Sequence, residues 1–294
     1  MLTELDLKNC ILIKLNNYNN TNYYNNNNIK IILENNNLFI HIAENSDLKK
    51  PIYLVNQKNF QYDITIIVGK SSKVNIIDHK KQQNNTTQII CEPKVILDYY
   101  LIQHQDQSNL QVKQYADSLC DFKLLSTNSN NQLNTMVELI EPNSQVKLNI
   151  LQKTSSNYQS SINLLIKHLT TDSYSNTLSR IIADQQAECN FIGKIIVTPN
   201  GKNTNANLQT KGLILHKQAS ITNSPELIID NNEVKCSHGA SVGKLAPEAL
   251  FYMQTRGLSI QEATLMLITA FQQPILNTIK FPEILEYLSI RALA

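Results

Sequence analysis

Several features are scarce in this chain of 294 residues, and each scarcity excludes a class of protein. Lysine and arginine number 26 against 24 acidic residues, so no strong basic field is present to drive binding to nucleic acid or to an acidic membrane. No apolar run reaches the roughly 18 residues that a membrane-spanning helix needs. Tryptophan is absent and glycine (7) is rare, and we expect the abundant asparagine to take left-handed turn positions in place of glycine.

The five cysteines are far apart in the sequence and form no Cys-x-x-Cys pair. They are Cys10, Cys91, Cys120, Cys189 and Cys236. This spacing excludes a disulfide framework and a zinc ribbon. The N-terminus has acidic residues where an export signal needs a basic start followed by an apolar core, so we expect a reducing cytoplasmic location.

Short apolar runs separated by polar breaks fill the chain from about residue 10 to residue 235. Their period-two alternation at intervals of roughly ten residues predicts an all-β region. The number of strands and the asparagine-rich breaks, which can stack between coils, favour a solenoid over a sandwich or barrel, although no repeat of fixed period is visible. The runs are 10–15, 29–33, 38–42, 64–68, 73–77, 145–151 and 194–197.

From Leu245 onward the sequence contains residues that are typical of helix starts and helix ends. Pro247 and Gly257 bracket one short helix over about 247–256. Ser259 and Glu262 form a capping box for a second helix that we expect to end near residue 272, before Pro274. A third helix is predicted from about residue 282 through residue 291. The second helix is apolar nearly all round, which indicates that it is covered on several faces, either within its own domain or by a partner.

A thiol and an imidazole lie two residues apart where the strands give way to these helices. If the run Val234–Gly243 is extended, Cys236 and His238 share one face about 6–7 Å apart. Both are ligands for soft or borderline metals. On chemistry alone, a packed cysteine beside a hydrogen-bonded histidine is the favoured explanation of the pair.

The same run closely resembles the C-terminal signature of SufD, in the SufB/SufD family of iron–sulfur cluster assembly proteins. That signature reads Val-Lys-Cys-Ser-His-Gly-Ala-Thr-Val-Gly and continues into a Leu-Phe-Tyr and Arg-Gly helix, matched here by Leu250, Phe251, Tyr252, Arg256 and Gly257. Ser241 replaces the threonine of the pattern. The resemblance is strongest over about 191–271 and fainter upstream, where the family has an N-terminal helical domain that we expect this chain to lack.

The resemblance implies a right-handed parallel β-helix over 1–243 followed by a small α-helical domain over 244–294. It implies a non-catalytic scaffold that acts with SufB and with the ABC-type ATPase SufC, which docks on the helical domain. His238 and Cys236 would bind a transient Fe–S cluster at the interface with SufB, with no cofactor held stably by the chain alone. A homodimer in the absence of SufB is left open.

Other readings compete with this one. A β-solenoid that binds or cleaves polysaccharide needs paired carboxylates and aromatic platforms. The candidates Asp78, Glu92, Asp98 and Glu138 show no local pairing, and aromatic residues are 6% of the chain. A solenoid that only binds proteins along one face is a third possibility. Gly201-Lys202 lacks the spacing of a phosphate loop, and the remaining histidines (41, 79, 104, 168 and 216) are isolated, typical of surface or hydrogen-bonded residues.

Overall fold

Two long, mainly parallel sheets and three C-terminal helices make up the fold. The structure is a computed structural model that describes residues 10–15, 22–25, 27–34, 37–56, 62–80, 85–103, 106–127 and 130–292. From the strand Asn37–Ile42 onward, strands alternate between the two sheets along the chain, so each coil contributes one strand to each sheet. This arrangement confirms the predicted β-solenoid, and all seven runs identified in the sequence lie in strands except for Cys10, which immediately precedes the strand Ile11–Leu15.

Sheet A has nine strands and sheet B has ten among the described residues. Only the pairs β2–β3 and β3–β4 are antiparallel. The strands of sheet A are β1 (Ile11–Leu15), β5 (Ile52–Asn56), β7 (Lys73–Lys80), β9 (Ile96–Gln103), β11 (Leu119–Thr127), β13 (Gln145–Thr154), β15 (Tyr174–Ala183), β17 (Asn205–Ile214) and β19 (Lys235–Lys244). Those of sheet B are β2 (Asn22–Asn25), β3 (Ile29–Glu34), β4 (Asn37–Ile42), β6 (Asp63–Val68), β8 (Asn85–Cys91), β10 (Asp106–Gln114), β12 (Asn131–Leu139), β14 (Gln159–His168), β16 (Glu188–Val197) and β18 (Ser220–Ile229).

A recurring corner joins each strand of sheet B to the next strand of sheet A. From the β4–β5 corner to the β16–β17 corner, one residue at each corner has a positive φ, and non-glycine residues occupy it: Asn45, Ser71, Lys94, Asp117, Asn143, Asp172 and Asn203. At six of these corners the next residue is a buried serine or threonine. Asparagine and aspartate tolerate the left-handed region because their short side chains bond to nearby backbone, which is how the chain turns with so little glycine.

Asparagine side chains stack between coils on the outer faces of both sheets. On sheet B, Asn134 donates to Asn109 at 2.9 Å and Asn163 donates to Asn134 at 2.8 Å. On sheet A, Asn207 donates to Asn176 at 2.9 Å. Parallel register places identical amides about 4.8 Å apart, which is the spacing that an amide ladder needs. Stacking of asparagine between coils therefore occurs, but these ladders lie within the strands rather than in the polar breaks for which the sequence predicted them.

The interior between the sheets is the main core, built from the inward-facing isoleucine, leucine and valine residues of both sheets. A second core lies outside sheet A. The helices α1 (Pro247–Thr255), α2 (Ile260–Leu276) and α3 (Pro282–Ala292) follow β19. Ile275, Ile284 and Leu288 of the last two pack onto the outward face of sheet A, against residues such as Tyr100 and Ile102. None of the described helices is long and apolar enough to cross a membrane.

One predicted helix boundary is wrong. Helix α2 was expected to end near residue 272, but it continues through Pro274 to Leu276. A proline this close to the end of a helix removes one backbone hydrogen bond. The continuation places Ile275, which is fully buried, in the second core. Burial of such a side chain contributes about 1.5–3 kcal/mol and offsets the lost bond. The capping box of Ser259 and Glu262 and the positive φ of Gly257 are both as predicted.

Candidate functional site

The predicted ligand pair lies on the last strand of sheet A. Strand β19 pairs in parallel with β17, so that Cys236 is beside Ala206 and His238 is beside Leu208. Ala206 and Leu208 point into the solenoid interior, where both are buried. Cys236 and His238 therefore project from the same, inward-facing row, as their i, i+2 spacing predicts.

The solenoid ends at this point, which is why the pair is accessible. Among the described strands, β19 is the edge of sheet A and β18 is the edge of sheet B. The His238 side chain is exposed and Cys236 is half-buried, packed against the last residues of the main core. Apolar side chains are exposed beside them, including Ile229 (40%) and Val242 (43%). An uncovered inward row is a surface that a further coil, from whatever source, could cover.

The environment of Cys236 keeps its thiol protonated. Burial raises the pKa of Cys236, and a backbone hydrogen bond involving Ala206 opposes this rise only in part. A thiol of this kind binds metal when the metal ion itself displaces the proton. In the part of the chain that the structure describes, no group of three or more His, Cys, Asp or Glu side chains is arranged to hold a metal ion. Cys236 and His238 are thus two ligands of an incomplete set.

The remaining cysteines do not join this pair. Cys189 is the second residue of β16 in sheet B, where its sulfur lies 3.6 Å from the Ser160 hydroxyl. Because each strand of sheet B begins where a strand of sheet A ends, Cys189 and Cys236 lie at opposite corners of the coil. No local pattern predicts that Cys91 and Cys120 meet, yet their sulfurs are 3.5 Å apart inside the core.

Helix α1 carries the side chains for which the resemblance implies a docking role. It has no buried residue. Phe251 is 69% exposed and Tyr252 is 59% exposed. Arg256 donates to the Tyr252 hydroxyl at 3.0 Å and lies over the Tyr252 ring. Leu250 is half-buried, and Gly257 ends the helix with a φ of 89°. Ile260 and Met266 of α2 are also exposed, so an apolar surface continues from α1 onto α2.

A histidine that the sequence treated as isolated is part of a buried polar group. His168 ends β14 inside the solenoid, with Nδ1 at 2.7 Å from the Ser173 hydroxyl and Nε2 at 2.8 Å from the Ser175 hydroxyl. Burial lowers the pKa of His168 to about 4. His79 is likewise buried and contacts the hydroxyls of Tyr53 and Tyr287. Both confirm hydrogen-bonded roles, whereas His104 lies outside the described residues.

The residues considered for other chemistries are engaged elsewhere. Residues Gly201–Thr204 form a turn between β16 and β17, and Lys202 pairs with Glu233 at 3.0 Å. The four carboxylates considered for polysaccharide cleavage each have a separate partner. Asp78 accepts from Tyr99, Glu92 from the Lys70 backbone, Asp98 from Lys123 and Lys280, and Glu138 from Lys167. No two of them share a partner.

Comparison with known proteins gives one consistent result. Residues 53–271 match the family described as SUF system FeS cluster assembly, SufBD core domain. The chain is 28% identical over 277 residues to a SufBD family iron–sulfur cluster assembly protein of Synechocystis sp., a match that covers 82% of this chain and 59% of that protein. It is 31% identical over 138 residues to SufD of Escherichia coli, covering 47% and 33% of the two chains.

A match to SufB of Bacillus subtilis is 28% identical over 107 residues and covers 36% of this chain and 23% of that protein. The chain thus matches three-fifths or less of the length of these relatives. The family match nevertheless spans most of the chain, from β5 into α2. Together with the two-sheet solenoid and the C-terminal helices, it shows that this chain belongs to the SufB/SufD family of iron–sulfur cluster assembly proteins.

Proposed function

We propose that this chain acts as a SufD-type scaffold subunit in a SufB–SufC–SufD assembly. In this role it performs no catalysis itself. It supplies His238 and Cys236 as ligands for a nascent Fe–S cluster at its interface with SufB, and it presents its C-terminal helices to the ATPase SufC. The cluster is the cargo of the assembly, and we expect the assembly to work in the cytoplasm.

The observation that carries the proposal is the exposure of His238 on an uncovered terminal strand. An imidazole in the inward row of an internal coil would be sealed in the core, as His168 is. His238 instead stands on the edge strand of sheet A, where the backbone N–H and C=O groups of β19 are open to a further strand. Unpaired strand edges of this kind are templates for pairing with another chain. A second β-solenoid is the partner whose geometry suits both edges at once.

The incomplete ligand set supports a shared site. Fe–S clusters are held by four ligands, mostly thiolates, with imidazole as a less common member. One thiol and one imidazole therefore leave room for ligands from the partner. The SufD-type signature supports the SufD role more than the SufB role, because SufB carries a Glu-His-Glu-Ala-Thr pattern where this chain has Cys236-Ser237-His238-Gly239.

The unburied helix α1 supports the docking of SufC. Aromatic side chains and arginine are the residues that most often anchor protein interfaces. Phe251 and Tyr252 are exposed with Arg256 beside them, and no described residue of the chain covers them. We assign Leu250, Phe251, Tyr252, Arg256 and Gly257 to this docking surface.

Replacement of His238 by alanine tests the cluster role. The complex is purified from the native host with tagged wild-type chain, with the His238→Ala variant, or with His216→Ala as a control at another exposed histidine. Each complex is then supplied with ferrous iron and a sulfide source, and the cluster is followed by its visible absorption. We expect the His238→Ala complex to assemble with normal composition but to form little cluster, and the His216→Ala complex to match wild type.

Cluster formation at the wild-type rate and yield by the His238→Ala complex would refute the ligand role. Recovery of the chain without an ABC-type ATPase and without a second β-solenoid subunit would refute the scaffold role. A Cys236→Ser variant tests the second ligand separately, since serine keeps the size of the side chain but lacks the thiolate.

A further inference from the structure

Two cationic side chains lie in register on the outer face of sheet A, close to its open edge. Arg180 on β15 is paired with Lys211 on β17, and Lys211 is paired with Ser241 on β19. Neighbouring strands are about 4.8 Å apart, so the three side chains form one short row that runs to the edge of the sheet. We call Arg180, Lys211 and Ser241 the basic row.

Arg180 is charged and desolvated, yet its contacts are neutral. It is 7% exposed. Its guanidinium donates to the Phe271 carbonyl at 3.2 Å and to the Ser179 carbonyl at 3.0 Å, and it lies 5.5 Å from the centre of the Phe271 ring. Burial lowers the pKa of Arg180, and no neighbouring acid opposes this shift. Lys211 is exposed, and neither cation forms an ion pair with any carboxylate of the described residues.

Elsewhere in the solenoid, charges on neighbouring strands are compensated. Asp98 and Asp121 are also like charges in register, but Lys123 lies between them and Lys280 binds Asp98 from the helical side. Two further pairs join opposite charges across strands, Glu138 with Lys167 at 3.0 Å and Lys194 with Glu226 at 2.8 Å. Like charges on directly opposed residues destabilise a sheet. The basic row is the exception, because no described acid of the chain neutralises it.

We propose that the basic row receives a carboxylate from the partner strand that pairs with the edge of β19. This inference rests on the proposed function and adds the chemistry of the partner. A strand added beside β19 places its side chains about 4.8 Å beyond Ser241, within reach of the Lys211 ammonium. An aspartate or glutamate in register with Ser241 would accept from both the Ser241 hydroxyl and Lys211, while Arg180, two strands further from the edge than Ser241, adds a weaker positive field.

The basic row also selects among partners and registers. Strand β19, from Lys235 to Lys244, contains two lysines and no acidic residue. A second copy of this chain that pairs β19 with β19 therefore brings no carboxylate to the row. A slip of one residue moves a side chain to the opposite face of the sheet. The basic row thus favours pairing with a different subunit over pairing with a second copy of this chain. It also favours the one register of the partner strand that places a carboxylate opposite Ser241.

The test measures the affinity of the intact chain for the SufB-type subunit of the same organism. The variants are Lys211→Gln, Lys211→Glu and Lys211→Arg, with Lys217→Gln as a control at an exposed lysine in the β17–β18 turn. We expect Lys211→Gln to weaken binding about tenfold, Lys211→Glu to weaken it further, and Lys211→Arg to bind almost as wild type. Lys217→Gln is expected to leave the affinity unchanged, and thermal unfolding confirms that each variant folds.

A charge exchange identifies the carboxylate. Each acidic residue of the partner's terminal strands is replaced in turn by lysine, and one of these replacements should restore binding to Lys211→Glu. The inference is overturned if Lys211→Glu binds as well as wild type. A second result would also overturn it and would indicate a site for a free anion instead. In that result, inorganic phosphate raises the thermal stability of wild type more than that of Lys211→Gln, while the two proteins bind the partner with equal affinity. Absence of any wild-type binding would instead overturn the proposed function itself.

Discussion

His168 makes the stability of the solenoid depend on pH in a way that can be worked out from its surroundings. The imidazole is fully buried between two serine hydroxyls, and burial lowers its pKa from 6.5 to about 4. Between these two values the unfolded chain binds a proton at this residue and the folded chain does not. Stability is therefore fully present above pH 6.5, falls as the pH drops toward 4, and loses nothing more from this residue below that.

The size of the effect follows from the shift. A pKa difference of about 2.5 corresponds to about 3 kcal/mol, nearly all of it lost by pH 4. Urea denaturation across this pH range measures the free energy of unfolding for wild type and for His168→Gln. Because glutamine does not titrate, the loss for wild type should exceed the loss for the variant by about 3 kcal/mol, whatever the stability of each at neutral pH. His216→Gln serves as a control at an exposed site.

Wild type and His168→Gln share the same carboxylates and the same other histidines, so the contributions of these groups cancel in that comparison. The reasoning fails if the curves of wild type and His168→Gln run parallel from pH 6.5 to pH 4. It also fails if His216→Gln removes as much of the pH dependence as His168→Gln does.

Two further substitutions test the packing. Ile275→Ala should lower the free energy of unfolding, measured with denaturant, by about 2–4 kcal/mol, because it opens a cavity where α2 meets sheet A. Ile260→Ala, at a 44% exposed position, should lower it by under about 1 kcal/mol. Equal losses would show that α2 does not depend on the second core. Gly193→Ala should cost about 1–3 kcal/mol, because its Cβ would lie 2.7 Å from Leu208 and 2.8 Å from Phe191 in a filled interior. Gly239→Ala, which meets nothing within 4 Å, should be nearly neutral, and a Gly193→Ala variant as stable as Gly239→Ala would contradict the packing described for the interior.

Local patterns in the sequence were sufficient to predict the strands and the start of each helix. Alternation of apolar and polar residues reports which face of a strand is buried, and the capping box of Ser259 and Glu262 is a local signal. The repeat was not visible because the coils differ in length. Successive left-handed corners from Asn45 to Asn203 lie 26, 23, 23, 26, 29 and 31 residues apart, so no single period aligns them.

Contacts between distant parts of the chain could not be predicted in this way. The docking of α2 and α3 on sheet A depends on apolar residues such as Tyr100 and Ile102 that face away from the main core, and alternation alone does not say what covers them. The contact between Cys91 and Cys120 could not be predicted either, because it is the turns of the solenoid that bring these two residues together. The candidate pair Cys236 and His238 was found because its two members are neighbours in sequence.

Within the described strands, the growth in coil length gives the solenoid a narrow end and a wide end. Strands β4 and β5 have six and five residues, whereas β18 and β19 have ten each, a difference of about 13–17 Å in width. The narrow end of one molecule cannot cover the wide end of another without leaving backbone groups unpaired. Head-to-tail stacking into fibres is therefore disfavoured. Contacts that join two wide ends are favoured, and such a contact ends assembly at two subunits because no wide end is left free.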